Sequence, residues 1–396
     1  MRMRFRVESA APAVVLVLGL VATQSAQAQT FTALHTFTWG PGGAYPYAGL
    51  VRGTAGALYG TTANSGSSNY GVIFKVDMRG TETVLHSFSG GADGGYPYGG
   101  LVRGTSGALY GTTAYGGASN YGVVFKMDRS GTETVLHSFA GGTADGCNPY
   151  GGLLRDKGGN LYGTSETCGA SGVGTVFRVD RKGTETILHS FAGGTTDGAY
   201  PFYTSLLEDK SGNLYGVTSR GGTSNLGVVY KLSKSGILTV LHSFTGGTTD
   251  GCYAYGTPTM DKGGNLYGTA WECGASDEGI VWRVSKKGTE TVLHSFAGGA
   301  PDGAYPLAGV LMDAKGNLYG NTEEGGTSGI GTLYELNNEG ALTLLHSFAG
   351  GASDGAYPIG GLIRDGDGNI YGTTQEGGSG NGCFDGCGTV WRITKQ

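Results

Sequence analysis

Seven histidines recur at almost constant intervals: His35, His86, His137, His189, His242, His294 and His346 are separated by 51, 51, 52, 53, 52 and 52 residues, each inside L-H-[ST]-F. Imidazoles in such a series invite metal ligation or acid–base chemistry. An aspartate is almost as regular, at Asp93, Asp145, Asp197, Asp250, Asp302 and Asp354 in DGAYP-like text, with Gly42 in its place in the first copy. Cys147 and Cys168 lie 21 residues apart, as do Cys252 and Cys273 at the same repeat positions, and Cys383 and Cys387 lie four apart. An even cysteine count in an exported chain favours disulfides over metal ligation. The expected pairs are Cys147–Cys168, Cys252–Cys273 and Cys383–Cys387.

What these groups can do depends on the elements that carry them. Between consecutive histidines the same four segments follow in order, as at residues 152–156 (GLLRD), 160–165 (NLYGTS), 174–180 (GTVFRVD) and 184–191 (TETILHSF). Each is a short run of strand formers bounded by turn residues, and no helical periodicity interrupts them. A four-stranded antiparallel unit of about 50 residues predicts a propeller blade, with a β-solenoid as the rival. The chain opens with a lone fourth segment, residues 31–37 (FTALHTF), and closes with three segments lacking a fourth. These fragments make one whole blade. A solenoid needs capping repeats, whereas a ring closes its last blade with the N-terminal strand and loses its edge. The expectation is an all-β, seven-bladed propeller closed in this way.

The combination LHSF, DGAYP, GGL, D-x-x-GNLYGTT and GTVFKVD resembles the Gloeo/Verruco (GloVer) tandem repeat of exported bacterial proteins, over nearly all of the chain. The resemblance implies an exported repeat protein with no established reaction. The chain departs from the family in ending at Lys395-Gln396 without a sorting tail or membrane helix. Its start supports export: MRMRFR, a short apolar run and Ala26-Gln27-Ala28 read as a signal peptide over residues 1–28. The expectation is a secreted or periplasmic monomer with one domain, residues 29–396, and no membrane span after cleavage. Removing Arg2, Arg4, Arg6 and Glu8 from 26 basic and 31 acidic residues leaves 23 and 30, a net charge of −7 with His neutral. That balance argues against nucleic acid and anionic membrane as partners. The 80 glycines punctuate strands rather than mark disorder, because β-branched and aromatic residues, 23 Tyr among them, run throughout.

The ring also constrains the chemistry. Histidines on the outermost strand stand too far apart to converge on one metal, so each is expected to bond within its own blade or the next. The aspartates suit turn chemistry, with an axial polar ring as the alternative. Asp365-Gly366-Asp367-Gly368-Asn369 faintly resembles a calcium loop, but sister copies read DKGGN and DKSGN, which favours a tight turn. Neither metal nor cofactor is expected.

Function should sit where the copies differ. The two residues after LYGTT read Ala63-Asn64, Ala114-Tyr115, Glu166-Thr167, Ser219-Arg220, Trp271-Glu272, Glu323-Glu324 and Gln375-Glu376. This slot shares a face with the disulfides and with Tyr45, Tyr96, Tyr200, Tyr253, Tyr305 and Tyr357 of the inter-blade loops. Aromatic rings beside carboxylates suit sugars, through stacking and hydrogen bonds. The candidate ligand-binding residues are therefore Tyr115, Glu166, Arg220, Trp271, Glu272, Glu323, Glu324 and Glu376. The expected function is binding of extracellular polysaccharide or cell-surface glycan. The alternative is a polysaccharide-active enzyme, with Glu272 and Glu324 or Glu376 as a hydrolytic pair, or Tyr115 and Arg220 serving a lyase.

Overall fold

The computed structural model describes residues 29–394. Seven four-stranded antiparallel sheets, six of them meanders in chain order, succeed one another along the chain and surround one central channel. The expected propeller is what the chain forms. Blade one comprises Val51–Arg52, Leu58–Thr62, Val72–Val76 and Glu82–Ser87. Blade three comprises Leu154–Arg155, Leu161–Ser165, Thr175–Val179 and Glu185–Ser190. Blade seven holds Ile363–Arg364, Ile370–Thr374 and Thr389–Thr394 and is completed by Thr30–Thr36. Thr30 faces Thr394 and Thr36 faces Thr389, so the N-terminal strand closes the ring. The expected signal peptide, residues 1–28, lies outside the described residues. Among those described, no helix is long and apolar enough to cross a membrane.

The repeated letters follow from the packing between blades. The Phe of LHSF meets the aromatic residue of the next blade's third strand, at ring separations from 4.9 Å for Phe37 and Phe74 to 6.1 Å for Phe244 and Trp282. The glycine of LYGTT lies beneath that aromatic ring. A Cβ on Gly163 would stand 2.5 Å from Phe177, and one on Gly268 would stand 2.4 Å from Trp282. Any side chain there would displace the core aromatic, so the glycine is a packing requirement. The first strand of most blades pairs over only two residues, as in Leu154↔Tyr162 and Arg155↔Leu161. The glycines just before it leave the sheet and approach the neighbouring blade's backbone; a Cβ on Gly49 would lie 2.4 Å from the Gly361 carbonyl oxygen. These close approaches tighten the ring around its axis.

The histidines lie on the outer strands, as expected, and each bonds locally. Nε2 of His86, His137, His189, His242, His294 and His346 lies 3.0–3.3 Å from the aspartate seven or eight residues later. These aspartates also accept loop N–H groups, such as Ala192 N–H on Asp197 at 2.9 Å. They sit at the outer rim and form no axial ring. In the first copy, where Gly42 replaces the aspartate, Glu82 of blade one takes its place, 3.5 Å from His35. A side chain on Gly42 would collide with that carboxylate. The calcium-like segment is a tight turn: Asp365 accepts Asp367 and Asn369 N–H groups at 3.0 and 2.9 Å and the Tyr371 hydroxyl at 2.9 Å.

Candidate functional site

The variable slot lies where the second strand leaves each blade, and it pairs with the inter-blade loop preceding that blade. Gly146–Cys147 pairs with Thr167–Cys168, and Gly303–Ala304 with Glu324–Gly325. In blade five these pairs merge into the long strands Gly251–Met260 and Leu266–Cys273. The disulfides Cys147–Cys168 and Cys252–Cys273 staple this pairing, with Cα atoms 5.4 and 5.5 Å apart, and Cys383–Cys387 closes the last loop of the face. All three pairs are those expected from spacing. The loop tyrosine just past the pairing has left-handed backbone, with φ between 53° and 59° at Tyr45, Tyr96, Tyr200, Tyr253, Tyr305 and Tyr357. Its carbonyl accepts the N–H of the first slot residue, as from Glu323 to Tyr305 at 3.0 Å and from Gln375 to Tyr357 at 3.0 Å. The slot is thus fixed by backbone bonds on two sides.

Side chains alternate across this short strand. The first slot residue turns inward, where Ala63, Ala114 and Ser219 are buried. The second turns outward, where Tyr115, Arg220 and Glu324 are exposed. The axis itself is occupied by aromatic rings outside the variable slot, two positions beyond the loop tyrosines. Tyr47, Tyr98 and Tyr150 follow one another at 5.1 and 5.3 Å, and Tyr203 lies across them at 6.5, 6.2 and 5.8 Å. The series continues through Phe202 and Tyr255 to Trp271 and Tyr305, with neighbouring centroids 4.8–6.2 Å apart. Blades one to six thus contribute an unbroken aromatic arc. Tyr203 owes its place to one inserted residue in blade four, accommodated at φ 51°. The signal was present as the single 53-residue spacing, between His189 and His242. The same tyrosines line the loop-face end of an axial cavity of about 470 Å³, whose walls include Leu50, Leu101, Leu153 and Leu311.

Four expected residues join this arc. Trp271 donates its indole N–H to Glu323 at 3.3 Å and does not simply lie on its neighbouring disulfide. Burial pushes the Glu323 carboxyl above its usual range, and the indole bond opposes that shift in part. Burial likewise raises Glu166. Both carboxylates act on Tyr203, whose hydroxyl is raised first by burial and then by its tyrosine neighbours and these acids. Gln375 donates to the Tyr47 hydroxyl at 3.1 Å, and Tyr47 is pushed up to about 12 by burial and by Tyr98. Tyr115 reaches the arc through a 2.7 Å hydroxyl contact with Tyr150.

The other candidates stand on the rim. Glu272 and Glu324 both act on Tyr305, and Glu324 and Glu376 both act on Tyr357, so the acids of blades five to seven make this side of the face acidic. Burial and Asp277 raise Glu272, with Arg220 opposing; burial and Asp385 raise Glu376. Arg220 lies 4.2 Å over the Tyr253 ring, whereas Tyr115 is engaged with Tyr150, so the two are committed to separate partners.

A ring of seven antiparallel blades with a disulfide-stapled loop face and an aromatic axis defines a seven-bladed β-propeller of tandem-repeat type. The chain belongs to the Gloeobacter/Verrucomicrobia repeat family, whose model matches residues 18–210, 91–264 and 202–396. No curated protein sequence matches it. Among solved structures it is similar to the extracellular domain of the putative one-component system BT4673 from B. thetaiotaomicron, at 10% identity and a TM-score of 0.54, covering 90% of this chain and 39% of that one. It is also similar to a putative 6-phosphogluconolactonase from Bacteroides uniformis, at 16% identity and a TM-score of 0.51, covering 80% of this chain and 88% of that one. At such identities these likenesses establish the fold alone.

Proposed function

We propose that this chain is an exported glycan-binding protein that engages neutral saccharides through its loop face. The aromatic arc from Tyr47 to Tyr305, with Glu166, Glu323 and Gln375 set among the rings, carries this reading. Aromatic faces stack on the apolar faces of sugars, and adjacent acceptors take their hydroxyl protons. The acidic rim disfavours anionic saccharides on this face. Three disulfides and the repeat family support a secreted or periplasmic location. Binding of the mature protein to a panel of neutral and acidic polysaccharides, with Glu323→Gln alongside, tests the proposal; no retention of any neutral glycan would refute it.

One observation favours a second reading, a glycoside hydrolase. Burial raises the carboxyls of Glu166 and Glu323, both of which act on Tyr203 at the axis, and a raised carboxyl is what a general acid requires. The two stand alongside Glu272 with Glu324 or Glu376 as pairs to examine. New reducing ends that vanish in both Glu166→Gln and Glu323→Gln would establish catalysis. Absorbance of unsaturated uronates would point to lyase chemistry instead.

A further inference from the structure

We propose that the cleft between blades two and three, on the face opposite the loop face, binds the oxyanion of an acidic saccharide on Arg155. Five blades carry an aspartate in their first turn: Asp156, Asp209, Asp261, Asp313 and Asp365. Asp156 accepts the Asn160 N–H at 2.8 Å, the Asn160 side-chain amide at 2.7 Å and the Tyr162 hydroxyl at 3.2 Å. In two blades this aspartate also meets an arginine from the next blade, Arg364 on Asp313 and Arg52 on Asp365, each at 3.8 Å. Arg155 fills the same repeat position in blade three, and it faces blade two. There the turn has Gly104 in place of the aspartate and Ala108 in place of the asparagine.

The carboxylate is missing beside its cation. A Cβ on Gly104 would stand 3.6 Å from Arg155 Nε, and that Nε is buried with no hydrogen-bond partner. A buried donor of this kind is costly to leave unpaired. The guanidinium lies 5.6 Å over the Tyr110 ring, which fixes it in the cleft. Lys126 and Arg181 line the same cavity of about 370 Å³. Its one acid, Asp180, is already engaged by the Lys182 and Thr184 N–H groups at 2.8 and 2.9 Å. Among the described residues, none of the three cations forms an ion pair within 4.0 Å. A carboxylate or sulfate entering here meets the guanidinium that sister blades satisfy internally, and charge-assisted bonds to arginine are the strong ones. The cavity has room for the sugar ring that carries it.

Calorimetric titration of the mature protein at fixed ionic strength tests this with D-galacturonate, inorganic sulfate and D-galactose as probes. Galacturonate and sulfate are expected to saturate one site and compete with each other, while galactose does not displace them. Gly104→Asp supplies the carboxylate in place and should raise Tm while abolishing anion binding. Arg155→Gln should weaken binding at least tenfold. Trp271→Ala should leave it unchanged, which separates this site from the loop face. Heats no larger than those of sodium chloride, or anion binding that survives in both folded cleft variants, would overturn the site. Sulfate binding without galacturonate binding would overturn the saccharide assignment.

Discussion

Trp271 interrupts a repeat position otherwise filled by alanine, serine, glutamate or glutamine, and its indole is held between Tyr255, Tyr305 and Glu323. Trp271→Ala should cost about 1–2 kcal/mol of stability, a small drop in Tm for a ring of this size, while glycan retention falls at least tenfold. Retention that stays at the parent level would remove Trp271 from the site. A second residue-level consequence concerns Glu133, Glu185 and Glu290, whose carboxyls are pushed up to about 7 by burial and then by Asp93, Asp145 and Asp250 of the preceding loops. His86, His137 and His242 are bonded to those aspartates. A raised carboxyl favours the protonated fold, so this contribution is complete below the unfolded value of 4.5 and is lost as pH rises through about 7. The triple Glu→Gln variant should match the parent at pH 4 and exceed it at pH 8. With solvent screening of these half-exposed groups, the gain is about 1 kcal/mol per site. Denaturant midpoints across pH 4–8 measure the gap, and a constant gap would exclude the titration.

Thr30–Thr36 is the element on which the ring's integrity rests. It covers the free edge of Thr389–Thr394, and Phe31 stacks on His346 at 4.0 Å with planes 2° apart, binding blade seven to blade six. Removing residues 29–37 should bare a six-residue edge strand and produce oligomers or early unfolding. Scattering and thermal melts would show it, and a monomer melting like the parent would contradict closure by this strand. Most of this architecture was legible in the text, because every blade repeats the residues its neighbours pack against. The disulfides were legible too, since equal spacing at equivalent positions fixed the pairs. The axial arc was less so. The loop tyrosines recur regularly, whereas Tyr47, Tyr98, Tyr150 and Tyr255 occupy a position that other blades fill with Phe202, Leu307 and Ile359. A variable position pointing to a seven-fold axis brings distant blades together, and spacing along one chain does not encode that convergence. Gly104 was similarly silent, because a missing aspartate matters only once Arg155 is placed opposite it.

At the scale of the whole molecule, carboxylates edge the loop face on blades five to seven, while the cationic cleft opens on the other face between blades two and three. The two faces are therefore suited to saccharides of different charge. The pairing of Thr30 with Thr394 has a separate consequence, in the order of folding. Every other blade forms from residues close in sequence, but this clasp joins groups 364 residues apart. Closing so long a loop costs about 3 kcal/mol more than closing a ten-residue hairpin loop. Blade seven should therefore be the last to form, and its docking should limit the folding rate. A circular permutant that joins the present termini by a short linker and opens the chain at the turn between Val76 and Glu82 makes blade seven local. It should keep the same ring and refold faster at blade seven, with the slow phase transferred to blade one, where the new clasp lies.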